Sequence, residues 1–324
     1  MFNIKIPNQR ENEIQDFWIE EVQPFIMNKI AEFKKDYNNI EPKFLQLLDW
    51  LNEPNNLYRL ILSKPKELLG IYKSWQKDYQ FQESNQNIFG DKGMNSKTYV
   101  EYFKKIIDYK GFCSDKENTY DLTKRLDVSV CPYCNRQFTY TIIKQSNKGK
   151  SNNITRPELD HYFPQSKYPM FSLSLYNLIP CCHICNSIIK RNRDLDIQEN
   201  YHPYIDENKN FSFCYIKLSS QPSKILIKYN GLKKAENTCN FFKLQEVYSM
   251  HNSEADRLDE LRMQYPDEYI KDIISKFKKC GFSLKKEQIL KIIYSEYIIK
   301  DEDKMILGKL KNDLYKCAKK QYSV

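Results

Sequence analysis

Residues 131–142 read CPYCNRQFTYTI, residues 158–194 read ELDHYFPQSKYPMFSLSLYNLIPCCHICNSIIKRNRD, and HPY follows at 202–204. Two C-x2-C pairs, Cys131/Cys134 and Cys182/Cys185, bracket the dipeptide Asp160-His161. Asn177-Leu178 follows the dipeptide, and Asn186 stands directly after the last cysteine of the second pair. A C-x2-C turn points two sulfurs at one metal, and zinc takes four such thiolates tetrahedrally. The 47 residues between the pairs exceed the spacing of an ordinary zinc finger, so the metal is expected to tie together the two ends of a small unit. A closed four-thiolate site has no open coordination position, which makes its role structural. Cys181 adjoins Cys182, but only Cys182 has the two-residue gap to Cys185, and His183 is a rival ligand. The competing reading is ordinary buried or redox-active thiols.

Composition is compatible with this reading. The chain has 324 residues, 41% hydrophobic and 29% charged, enough to bury a core and outside the range of disordered sequences. No run of about 18 apolar residues occurs, so no membrane span is expected. The first residues, MFNIKIPNQRENEIQDF, lack the apolar core of a secretory signal, and a cytoplasmic location is the expectation. In that setting paired cysteines point to metal rather than disulfides. The six remaining cysteines, Cys113, Cys181, Cys214, Cys239, Cys280 and Cys317, read as small buried apolar residues. The net charge is +9, and residues 131–193 carry nine Lys or Arg against two acids. A polyanion would be drawn to that stretch.

Outside the motif the chain reads as mainly helical. Apolar spacing predicts helices over 12–36, 42–51, 57–62, 66–75 and 99–109, with a polar loop at 82–96. Phe138–Ile143 and Glu158–Tyr162 read as strands, and the residues from Cys182 onward as a helix. Phe211–Leu218 and Lys224–Tyr229 form a hairpin around SSQPS, followed by helices over 232–251, 253–264, 267–280, 285–299 and 301–318.

Within the motif, adjacent residues near a strand end face opposite ways, so one can hold a metal while the other meets a substrate. The hard oxygen of Asp160 suits Mg2+ or Mn2+. His161 can take a proton from water, Asn177 can orient its imidazole, and Asn186 offers the metal a second oxygen. Lys190, Arg191 and Arg193 are the expected phosphate contacts, with Lys148 and Lys150 as weaker ones. His202 is a further candidate for metal or phosphate, and a structural histidine is the plainer reading. Tyr133 and Tyr162 are placed to stack on a base or to pack on the zinc core.

In the order C-x2-C, DH, NL, C-x2-C-N and then a basic run, the stretch 131–202 resembles the zinc-bearing subgroup of the HNH endonucleases. The resemblance implies an α+β fold: a ββα-metal core with a four-cysteine zinc staple, embedded between helical N- and C-terminal regions. The expected segments are 1–125 helical, 126–205 nuclease core and 206–324 hairpin plus helices. By the same resemblance His161 is the general base, Asp160 the acidic metal ligand, Asn177 the central Asn, and Asn186 stands where the family's last His often stands. The implied activity is metal-dependent hydrolysis of DNA, leaving 5′-phosphate and 3′-hydroxyl ends. The layout is also similar to stand-alone HNH effectors of bacterial anti-phage systems of the Septu type, which work with an ATPase subunit. The rival expectations are a zinc-stabilised nucleic-acid-binding module without catalysis and an RNA-cleaving nuclease.

Overall fold

The computed structural model describes residues 3–37, 40–79, 99–114, 116–145, 151–206, 210–218 and 221–321. The expected loop at 82–96, Lys148 and Lys150, and the first two residues of SSQPS lie outside these. The fold is mixed α+β, with small antiparallel sheets. The chain divides into two compact units: Ile4–Val128 with Thr139–Gln198, and Met1–Asn3 with Ser129–Phe138 and Glu199–Val324. These units cut across the three sequence segments, because the N-terminal helices and most of the motif pack as one body.

That first unit opens with α1 (Asn8–Asp36), α2 (Pro42–Asn52), α3 (Pro54–Leu62), α4 (Pro65–Asp78) and α5 (Tyr99–Ile106). Helix α1 buries Ile14, Trp18, Val22, Ile26, Ile30 and Phe33, a stripe at helical spacing. Prolines start α2, α3 and α4, where a missing N–H costs nothing. Two further helices, α6 (Tyr109–Ser114) and α7 (Lys116–Leu126), fill a stretch given no element from sequence. Polar α7 buries few side chains, Leu122, Leu126, Thr119 and Thr123 among them, so its apolar period is faint.

Strands β1 (Ile142–Gln145) and β2 (Ser151–Thr155) pair antiparallel. The expected strand at Phe138–Ile143 is corrected: Phe138 makes only an isolated bridge to Val130, and pairing starts at Ile142. Phe138, Tyr140 and Ile142 are exposed, so no sheet face holds them. Strands β3 (Glu158–His161) and β4 (Leu178–Cys181) form a second antiparallel pair, with Asp160 opposite Ile179 and His161 opposite Leu178. A π-helical segment, Ile184–Lys190, follows β4. Between β3 and β4 the chain makes a long excursion gripped by the N-terminal helices. The Trp18 indole donates to the Leu173 carbonyl at 2.9 Å, Ser174 Oγ to the Leu60 carbonyl at 2.7 Å, and Tyr176 Oη to Glu11.

The second unit holds β5 (Phe211–Leu218), β6 (Gln221–Tyr229), α8 (Lys233–Phe241), α9 (Leu244–Ser249), α10 (Asn252–Gln264), α11 (Asp267–Lys279), α12 (Lys286–Ile293) and α13 (Gly308–Gln321). A two-stranded hairpin leaves outward N–H groups unpaired. Helix side chains accept them: Phe213 N–H donates to Asp313 Oδ2 at 3.1 Å, and Ile225 and Ile227 N–H donate to Asn252 Oδ1 and Gln245 Oε1, each at 3.0 Å. Three sequence-drawn helices are shorter than expected. The first breaks where Lys243 turns left-handed (φ 54°), the one from 285 ends at Ile293, and the last starts at Gly308. Only glycine fits there, since a Cβ would lie 2.6 Å from the Glu302 carbonyl oxygen. The first C-x2-C turn belongs to this unit. Asn135, left-handed at φ 51°, donates through Nδ2 to the carbonyls of Glu302 (3.0 Å) and Met305 (3.1 Å) and accepts the Lys309 N–H at Oδ1 (3.2 Å).

Candidate active site and metal centre

Cys131, Cys134, Cys182 and Cys185 are all buried, and their sulfur atoms lie within 4.8 Å of one another. Tetrahedral zinc at Zn–S distances near 2.3 Å sets its sulfurs roughly 3.8 Å apart, so the four thiols fit such an ion with a small contraction. They could hold a metal such as zinc. The competing ligands are accounted for otherwise. Burial pushes the Cys181 thiol well up, which keeps it protonated on β4. His183 is exposed, and its Nδ1 lies 2.6 Å from Glu158 Oε1. Among the other expected buried thiols, Cys214 and Cys239 are buried, Cys113 and Cys317 are half-buried, and Cys280 is exposed. Cys280 sits at the C-cap of the amphipathic helix α11, which has Ile270 as its buried residue.

The second cluster lies where β3 meets the π-helical segment. Glu158 and Asp160 share one face of β3, and Leu159 and His161 the other. Wide π-helical winding, seen in the Arg191 N–H donating to the Asn186 carbonyl at 2.7 Å, turns both Asn186 and Lys190 toward β3. Asn186 Nδ2 donates to Glu158 Oε2 at 2.8 Å. Lys190 Nζ donates to Asp160 Oδ1 at 3.0 Å and to the His161 carbonyl at 2.6 Å. Lys190 is thus corrected as a phosphate contact: its side chain is 1% exposed and spent on a buried ion pair with Asp160. Arg191 and Arg193 are exposed, and each guanidinium also reaches back to carbonyls at the end of the π-helical segment.

On the opposite face His161 is half-buried, its ring edge-on to Tyr109 at 4.5 Å between centroids. Burial pushes its imidazole down to about 4, against the Ser172 carbonyl and with the Lys190 charge. The ring is therefore neutral near pH 7. Its Nε2 lies 3.0 Å from the Ser172 carbonyl oxygen, an acceptor only, so Nε2 carries the proton and Nδ1 is the basic atom. Gln165 Nε2 lies 3.1 Å from the same nitrogen, a contact that needs the amide to present its oxygen.

Asn177 is fully buried, and its amide does not hold the imidazole, as the sequence had suggested. Oδ1 accepts the Phe163 N–H at 2.8 Å, and Nδ2 donates to the carbonyls of Phe163 (3.2 Å) and Phe171 (2.9 Å). It staples the excursion next to Ser172, and so acts on His161 through the backbone. Asn177→Ala is expected to cost about 2–4 kcal/mol, since it leaves buried backbone groups unsatisfied. Thermal melting of the variant checks this, and a loss under about 1 kcal/mol would contradict the staple.

Comparison with protein-family models, with curated proteins and with solved structures returned no match for this chain. The site therefore stands on its own geometry.

The remaining expected residues fall elsewhere. His202 belongs to the unit of β5 and β6, where its backbone N–H donates to Asp206 Oδ2 at 2.8 Å and Nδ1 accepts the Tyr204 N–H at 3.3 Å. Tyr133 and Tyr162 are fully buried, Tyr133 stacked on Phe242 at 4.4 Å, so neither ring offers a face to a base. Sequence reading passed over Glu158, Gln165, Tyr109 and the Ser172 carbonyl. Only Glu158 carried a signal, its two-residue offset from Asp160. Burial raises its carboxyl while the donors His183, Asn186 and Ser187 outweigh it, leaving the group below its ordinary value.

Proposed function

We propose that this chain is a metal-dependent HNH endonuclease that hydrolyses phosphodiester bonds of DNA, with a ββα-metal core formed by β3, β4 and the π-helical segment. The observation that carries the reading is His161, with Nε2 against the Ser172 carbonyl, on the face of β3 opposite Asp160. That tautomer leaves Nδ1 to take a proton from water. The water oxygen then bonds to phosphorus, the bond to the 3′-oxygen breaks, and that oxygen leaves as the 3′-hydroxyl once protonated. The donor set of Asp160 and Asn186, all oxygen, fits Mg2+ or Mn2+, which when bound supplies neutralisation of charge on the phosphate and leaving group. Arg191 and Arg193 would contact flanking phosphates. Action in anti-phage defence beside an ATPase partner belongs to the same proposal and rests on the resemblance alone.

Plasmid nicking by the zinc-loaded chain with Mg2+ or Mn2+ tests the reading. Metal-dependent nicks that EDTA abolishes are expected, and cleavage undiminished in EDTA would overturn it.

One observation favours the second reading, a nucleic-acid-binding module without catalysis: the carboxylate meant for the metal already faces the Lys190 ammonium. Lys190→Met separates the two. Leaving Asp160 buried without its cation is expected to cost about 3–5 kcal/mol in the zinc-loaded chain with no other divalent metal added. If Asp160 is a metal ligand, Mn2+ recovers part of the lost melting temperature. A melting temperature blind to Mn2+ supports the binding module.

A further inference from the structure

Glu158 has no part in the mechanism above, yet its half-buried carboxylate meets three side chains beside the site. Oε2 accepts from Asn186 Nδ2 at 2.8 Å and from Ser187 Oγ at 2.9 Å, while Oε1 lies 2.6 Å from His183 Nδ1. Three side chains converge on it, one from the N-cap residue of the π-helical segment and two from its first turn. An ionised carboxylate only accepts hydrogen bonds. The Asn186 amide must therefore give Glu158 its NH2 group, and its oxygen turns the other way. The distinction matters because a hard cation takes an amide only through oxygen. With nothing to choose between them, the two amide orientations compete, and one of them aims N–H dipoles at a cation.

We propose that Glu158 is a positioning residue: it fixes the Asn186 amide so that the oxygen, not the NH2 group, is offered to the divalent cation. The inference rests on the nuclease reading's assignment of Asn186 as a metal ligand. Glu158 and Asp160 then act as a pair from one strand face, Asp160 as ligand and Glu158 as the group that sets the second ligand.

Mn2+ binding to the zinc-loaded full chain, followed by calorimetry or Mn2+ spin resonance, tests this without any turnover. Glu158→Gln keeps the size of the side chain and removes the acceptor-only rule, since its amide offers either end to Asn186. It is expected to weaken Mn2+ binding about 10–100-fold, the usual cost of losing a group that orients a ligand. Zinc content should stay at the wild-type value. In an Asn186→Asp background both side-chain termini are oxygen, so adding Glu158→Gln should carry no further loss, a non-additivity that a merely structural Glu158 would not produce. Equal Mn2+ affinity in wild type and Glu158→Gln, with Asn186→Ala clearly weaker, would overturn the role of Glu158 and leave the nuclease reading standing. Mn2+ binding that Asn186→Ala does not change would remove both.

Discussion

Replacing His161 by alanine is expected to lower the rate of DNA cleavage by about 10^2–10^4-fold, the contribution of a positioned general base. Three features of the fold set the size of this effect. The Ser172 carbonyl at 3.0 Å fixes the proton on Nε2, the Tyr109 ring at 4.5 Å limits ring rotation, and burial keeps the imidazole neutral. All three prepare Nδ1 to accept a proton, and alanine removes the acceptor while leaving Asp160, Asn186 and Lys190 on the other face of β3. Zinc content and DNA affinity should therefore be unchanged, which separates lost chemistry from lost folding. Single-turnover cleavage of a labelled duplex measures the rate. A variant that cuts at a rate near wild type would withdraw His161 as the base and, with it, the reading of the β3 face as catalytic.

The second large effect concerns the cysteines. Cys185→Ala is expected to abolish stoichiometric zinc binding and to lower the melting temperature steeply. Structural zinc contributes an apparent binding free energy of roughly 10–16 kcal/mol in small finger peptides at neutral pH. A chain with its own buried core loses a fraction of that, still several kcal/mol and among the largest single-residue costs. Because zinc binds thiolate, the metal should also leave as pH falls, and stability with it. Cys181→Ala is the control: its thiol is buried beside the ligands but outside the cluster, so zinc should be retained and only a small cavity cost paid. Metal content by mass spectrometry with parallel melting curves decides. Full zinc occupancy in Cys185→Ala, or its loss in Cys181→Ala, would refute the assignment of ligands.

Much of the architecture was readable from local pattern. The stripe from Ile14 to Phe33 marks α1 because period 3.6 is a property of the helix itself, and the hairpin of β5 and β6 shows in alternating apolar residues. The boundaries of the compact units were not readable. Trp18 and Leu173 lie 155 residues apart, and nothing in either neighbourhood announces that the indole will meet that carbonyl.

The site divides along the same line. The sequence by itself determined the four cysteines that cluster, since C-x2-C spacing dictates how two sulfurs converge, and it placed Asp160 and His161 on opposite faces of one strand, since the strand period is two. Tertiary structure alone decided which partners those side chains meet. Lysine is among the residues least often buried, so Lys190 read as a surface cation, whereas packing sets it against Asp160 across 30 positions of chain. Asn177 has an amide able to serve an imidazole or a backbone, and the fold spends it on Phe163 and Phe171. The group that fixes the His161 tautomer is a backbone carbonyl, identical at every position of the chain, so only the path of the excursion between β3 and β4 distinguishes Ser172 from any other residue.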